Sequence, residues 1–124
     1  MKRKPIFLAA FILLSISISF AQTKKDSWVP TPPLGWNSWD IFGTTVTEDQ
    51  IKDQADAMAK HLLPSGYKYL TVDIQWYEPE SQTHAYNPKA TLTMDEYGRL
   101  TPGLKKFPSA ANGKGFKPLA DYVH

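Results

Sequence analysis

Apolar side chains recur every three to four positions between residues 47 and 62, and charged residues fill most of the positions between them. The apolar set is Ile51, Ala55, Met58, Ala59 and Leu62. This period predicts an amphipathic helix with one buried face. Thr47, with Gln50 three residues later, has the spacing of a capping box at its start, and Pro64 and Gly66 end it.

The segments on either side of this helix have the pattern of strands. Residues 67–76 are β-branched and aromatic and lie between turn-forming sequences, which predicts a short buried strand. Residues 34–42 predict a first strand that runs into a loop, in which Gly35 allows a close backbone approach. The order strand, helix, strand indicates a βαβ unit with parallel strands.

Residues 77–115 lack a clear period and contain several turn sequences, which predicts a long functional loop. Its apolar residues argue against disorder: Tyr86, Leu92, Met94, Tyr97, Leu100 and Phe107. A second helix is predicted from Phe116, with Leu119 at helical spacing from Tyr122 and Val123. Two parallel strands leave unpaired edges, so the chain is interpreted as the N-terminal part of a larger α/β protein.

The first 21 residues have the pattern of a secretory signal peptide. A basic start, Lys2-Arg3-Lys4, precedes an apolar stretch over residues 6–20 and the sequence Ser19-Phe-Ala21. Cleavage is predicted after Ala21, which implies secretion or export to a periplasm without a membrane anchor. Residues 22–30 are predicted to be a linker, and residues 31–124 an incomplete domain.

Charge and cysteine content narrow the functional classes. The whole chain carries a net charge of +2, but three of its 14 basic residues lie in the predicted signal, so 11 remain against 12 acidic residues, a net of −1. No basic patch indicates nucleic-acid binding. With no cysteine, the chain has neither a disulfide nor a thiolate metal site, and its three histidines lack ligand spacing. Neither a metal nor a cofactor is predicted, and the oligomeric state stays open.

Asp73 is the main candidate for chemistry. It stands near the end of the predicted buried strand, followed by Trp76 and Tyr77. An unpaired buried carboxylate is strongly disfavoured, so this one needs a partner. A carboxylate ringed by aromatic side chains suits a sugar or polyol site. The alternative is that Asp73 caps the following turn.

Four motifs follow one another along the chain. They are Pro32-Pro-Leu-Gly-Trp-Asn-Ser-Trp-Asp40, Gly66-Tyr-Lys-Tyr-Leu-Thr-Val-Asp73 with Trp76, Asp95-Glu-Tyr-Gly-Arg-Leu100, and Phe107-Pro108 followed by Leu119-Ala-Asp-Tyr-Val-His124. With these motifs in this order, the chain from about residue 31 to residue 124 resembles glycoside hydrolase family 27, the α-galactosidase (melibiase) family. The resemblance implies a (β/α)₈ barrel, of which this chain holds about two βα units, with its site at the C-terminal ends of the strands.

The resemblance also implies a reaction: retaining hydrolysis of terminal α-D-galactosyl residues by two carboxylates about 5–5.5 Å apart. Both are expected beyond His124, so no catalytic residue is assigned within this chain. Substrate-binding roles are implied for Trp39, which matches a tryptophan lining the galactose pocket, and for Asp73, the first of two adjacent aspartates that bind hydroxyls on the C4/C6 side. Trp76 is included in the predicted site.

The chain departs from the family pattern at two places. Ile74 stands where the second aspartate is expected, and Thr44 and Gln75 stand where many members have a disulfide-bonded pair. Ile74 favours an alternative substrate, β-L-arabinopyranose, which has the ring hydroxyls of α-D-galactose but lacks C6. Two further alternatives are an inactive truncated fragment and a non-catalytic sugar-binding segment that stacks sugars on Trp36, Trp39 and Trp76.

Overall fold

The structure is a computed structural model that describes residues 31–124. In chain order these residues form strand β1 (Gly35–Asn37), helix α1 (Trp39–Phe42), helix α2 (Glu48–His61), strand β2 (Tyr69–Thr71) and helix α3 (Lys117–Val123). Short 3₁₀ turns lie at Gly43–Thr45, Leu63–Ser65 and Pro108–Ala110. The predicted signal peptide and the linker lie outside the described residues.

Helix α2 confirms the helix predicted from the apolar period. Its capping box is formed: the Gln50 N–H donates to Thr47 Oγ1 at 3.4 Å, and the Thr47 N–H donates to Gln50 Oε1 at 3.0 Å. Ile51 and Met58 are buried, as predicted. Leu62, at the C-cap, is exposed, so only the first part of the predicted apolar face is covered.

Strands β1 and β2 pair in parallel, as predicted, with Gly35 opposite Tyr69 and Asn37 opposite Thr71. A Cβ atom on Gly35 would lie 2.3 Å from the Tyr69 carbonyl oxygen. Only glycine fits at this contact without a backbone shift. The close approach predicted for Gly35 is therefore confirmed.

The predicted strand lengths are wrong. β2 covers three residues of the predicted ten, and the segment 34–42 divides into β1 and helix α1. The ladder ends because the Asp73 N–H donates to the side-chain Oγ of Ser38, and not to a carbonyl of β1. The prediction that this strand is buried is also wrong, since Tyr69 is 59% exposed. In the described part of the chain the sheet has only two strands, so much of its surface lacks a neighbour.

The core lies between α2, α3 and the end of the long loop. It consists of Val46, Ile51, Phe107, Ala110 and Leu119. The loop is built from turns, with an antiparallel bridge between Met94 and Leu100. Of its predicted apolar residues only Phe107 is buried, while Tyr97 is 75% exposed. Within residues 31–124, no helix combines the length and the apolar character needed to span a bilayer.

Candidate functional site

Ser38 joins the segments that follow the two strands. Its side chain is fully buried. Its N–H donates to the Thr71 carbonyl at 3.0 Å, and its Oγ accepts from the Asp73 N–H at 2.9 Å. Trp39 is the next residue in the chain, so this link holds Trp39 and Asp73 at the same end of the sheet. Sequence reasoning missed Ser38, although it lies within the first family motif.

Asp73 is half-buried and lies two residues beyond β2. Its Oδ1 accepts from the Ile74 N–H at 2.6 Å. One carboxylate oxygen of Asp73 therefore binds the first N–H of the following turn, as the capping alternative predicted. The second oxygen, Oδ2, has no hydrogen-bond partner among residues 31–124, which leaves it available to a ligand.

Ile74 begins a turn over residues 74–77, so it belongs to no strand. The alternating faces of a strand therefore do not prevent its side chain from reaching the site. The next residue, Gln75, has a φ of +65°, a left-handed conformation that is uncommon for a residue other than glycine. Ile74 is half-buried and immediately follows Asp73.

Trp76 packs inward. Its ring makes edge-to-face contacts with Tyr77 at 5.3 Å and with Phe116 at 5.2 Å between centroids. Trp36 packs in the same way on Phe42, at 6.1 Å, and both tryptophans contact the core. These contacts argue against Trp36 and Trp76 as freely exposed stacking surfaces, and hence against the sugar-binding segment that the sequence left open.

A buried lysine bridges the two positions at which the family resemblance implied a disulfide. Lys106 Nζ donates to the carbonyl oxygens of Thr44, at 2.9 Å, and of Gln75, at 2.7 Å. Burial lowers the pKa of Lys106 to about 8, and the Glu78 carboxylate opposes this shift. The lysine therefore stays largely cationic at neutral pH. No pattern in the sequence pointed to this residue.

Glu78, which follows this turn, is buried but satisfied by neighbours. Its Oε2 accepts from Ser81 Oγ at 2.9 Å and its Oε1 accepts from Asn87 Nδ2 at 3.1 Å. Asn87 also exchanges two hydrogen bonds with the Gln75 side chain through its backbone, at 2.6 and 2.9 Å. These contacts fold residues 77–90 back onto the turn. Among the described residues no group of three or more His, Asp or Glu is placed to hold a metal ion.

A parallel pair of strands joined by a helix, with polar and aromatic residues gathered beyond their C-terminal ends, is the repeating unit of α/β proteins with a parallel sheet. No family model matches the sequence. The structure resembles the GH27 β-L-arabinopyranosidase of Geobacillus stearothermophilus, with 56% identity and a TM-score of 0.77 over 84% of this chain and 24% of that one.

Two further proteins extend the comparison. A Bacillus halodurans structure, provisionally described as an α-N-acetylgalactosaminidase, is 58% identical with a TM-score of 0.67, over 76% of this chain and 22% of that one. An α-galactosidase of Cyamopsis tetragonoloba is 39% identical over 95 residues, which are 76% of this chain and 19% of that protein. The chain belongs to glycoside hydrolase family 27.

The chain spans about a fifth to a quarter of the length of these relatives. Its two parallel strands and intervening helices are the N-terminal portion of a (β/α)₈ barrel, as predicted. In such barrels the strand ends carry the site, which is where Trp39 and Asp73 lie.

Proposed function

We propose that the full-length polypeptide containing this chain is a retaining exo-glycosidase that removes terminal α-D-galactosyl residues or the related β-L-arabinopyranosyl residues. The proposal is carried by the Ser38 link, which gathers Trp39 and Asp73 beyond the C-terminal ends of both strands. The free Oδ2 of Asp73 is suited to accept a hydrogen bond from a sugar hydroxyl. Its charge makes that bond stronger than one between neutral groups.

Catalysis in this proposal requires two carboxylates, which the family resemblance implies lie beyond His124. One attacks the anomeric carbon and forms a glycosyl-enzyme, and the other protonates the leaving oxygen and then activates water. The described residues contribute binding: they orient the sugar so that its anomeric carbon meets the nucleophile. Correct orientation of a bound reactant is a large part of enzymatic rate enhancement.

Two observations favour the pentose as the preferred substrate. The family resemblance implies an aspartate where Ile74 stands, and the chain is 56% identical to a β-L-arabinopyranosidase that has also been solved with arabinose. A galactoside would bury its C6 hydroxyl against an apolar side chain. An unsatisfied hydroxyl costs about 1–3 kcal/mol, or roughly 5- to 150-fold in kcat/KM.

The test measures kcat/KM of the full-length protein on p-nitrophenyl β-L-arabinopyranoside and p-nitrophenyl α-D-galactopyranoside. We expect Ile74→Asp to shift the ratio of the two toward the galactoside by about 5- to 150-fold. Ala57→Asp is the control for an added carboxylate, because Ala57 lies on the exposed face of α2. An unchanged ratio in Ile74→Asp would mean that residue 74 does not distinguish sugars with and without C6. If the wild-type protein hydrolyses neither sugar, the proposed activity is wrong.

We also propose that the protein is exported, with cleavage after Ala21. The support is the signal-peptide pattern of residues 1–21, which lie outside the described part of the chain. The intact mass of protein recovered from outside the cytoplasm is expected to correspond to a chain that begins at Gln22. Recovery of a chain that retains Met1 to Ala21 would contradict the proposal.

A further inference from the structure

Lys106 is a buried cation that glycoside hydrolysis does not use. The residue is 5% exposed, and its Nζ donates to carbonyl oxygens that lie 62 and 31 residues away in the chain, those of Thr44 and Gln75. A buried charge is strongly disfavoured without such partners. Glu78 supplies the nearby negative charge. The lysine is therefore a long-range connection between segments that the strands alone do not join.

Both carbonyls belong to segments that carry the candidate site. Thr44 lies in the 3₁₀ turn that follows α1, the helix that begins at Trp39. Gln75 lies between Ile74 and Trp76 in the turn after β2. The lysine thus connects the segment after β1 to the segment after β2. Thr44 follows Ser38 in the first segment, and Gln75 follows Asp73 in the second, so this connection lies beyond the Ser38–Asp73 hydrogen bond in both.

The backbone at Gln75 needs this support. Its φ of +65° is sparsely populated by residues with a side chain, and such conformations persist where the surroundings hold them. The Gln75 side chain is held by Asn87. Its carbonyl accepts from Lys106 Nζ at 2.7 Å and from the Glu78 N–H at 3.0 Å. A rotation of the peptide at residue 75 would reorient the residues on both sides of it.

We propose that Lys106 is a positioning residue for substrate selection: its ammonium group holds the Gln75 carbonyl and so sets the orientation of Ile74 at the sugar site. The inference rests on the proposed function, because it assigns Ile74 a contact with the sugar. Without the ammonium group, the Thr44 carbonyl loses this donor, and the Gln75 carbonyl keeps the Glu78 N–H but loses the second of its two hydrogen bonds. The turn is then held less firmly. A misplacement of about 1 Å in a substrate-positioning residue lowers activity by about 100-fold.

The experiment compares variants of the full-length protein on the two p-nitrophenyl glycosides. We expect Lys106→Met to lower kcat/KM on the preferred sugar by about 100-fold and to narrow the ratio between the two sugars. Lys106→Arg, which keeps a buried cation with several donors, is expected to recover most of the activity and the ratio. Lys105→Met is the matched control, because the Lys105 side chain is 69% exposed and pairs with Glu80 at the surface.

A merely structural role predicts a different result. Lys106→Met would then lower the amount of folded protein but leave kcat/KM per folded molecule, and the ratio of the two sugars, unchanged; this outcome overturns the proposal. If Lys106→Met yields no soluble protein, Lys106→Gln, which retains one amide donor group, is judged by the same two criteria.

A separate result would show that the proposed function is wrong: the wild-type protein folds but hydrolyses neither sugar. In that case a crystal structure of Lys106→Met decides the positioning role. A displaced turn over residues 74–77 supports it, and an unchanged turn overturns it.

Discussion

Replacing Asp73 by Asn is expected to lower kcat/KM of the full-length protein by about 30- to 900-fold, a loss of about 2–4 kcal/mol of transition-state stabilisation. The reason is that the two carboxylate oxygens have different hydrogen-bond partners. Oδ1 accepts from the Ile74 N–H, while Oδ2 has no partner among the described residues. An asparagine keeps the Oδ1 acceptor but replaces the charged Oδ2 by an amide that cannot accept from a sugar hydroxyl.

This substitution separates binding from capping. If Asp73 binds sugar, activity falls while the free energy of unfolding, measured by urea denaturation, changes little. If Asp73 acts only as a cap, Asp73→Asn retains kcat/KM, and the substrate role is wrong. Asp53→Asn provides the matched control, because it is the same substitution at a residue on the exposed face of α2.

The polypeptide of residues 22–124, expressed alone, is expected to show no cooperative thermal unfolding. Within residues 31–124 the core holds few side chains, whereas thirteen large hydrophobic residues are exposed, including Leu63, Tyr69 and Leu104. Two short strands with unpaired edges add little independent stability.

Circular dichroism on heating and a two-dimensional NMR spectrum of this polypeptide provide the measurement. We expect a gradual loss of ellipticity and poorly dispersed amide signals. The full-length protein, under the same conditions, is the reference and is expected to unfold cooperatively. A sharp transition with well-dispersed signals from residues 22–124 alone would contradict the prediction and would make the segment an independent folding unit.

Local features of the sequence predicted helices α2 and α3 and the parallel pairing, but not the short helix α1. The capping box at Thr47 and Gln50 depends on residues three apart, and the structure contains it. The spacing of Leu119 from Tyr122 and Val123 predicted a helix from Phe116, and α3 forms there, although only Leu119 of the three is buried. The need for glycine at residue 35 was also visible, because a strand glycine commonly marks a close backbone approach. The family motifs placed Trp39 and Asp73 at the strand ends.

The extent of each strand and the supports of the site were decided by tertiary structure. A β-branched run predicted ten residues of strand, but β2 ends at Thr71. Beyond it, the Asp73 N–H donates to the side chain of Ser38, which lies 35 residues earlier in the chain. The bridge from Lys106 to Thr44 spans 62 residues. Sequence alone determined this protein's family, its central helix and the order of its elements, because those depend on near neighbours in the chain. Only the fold determined which buried polar groups meet, because each such pairing depends on a partner that no local pattern identifies.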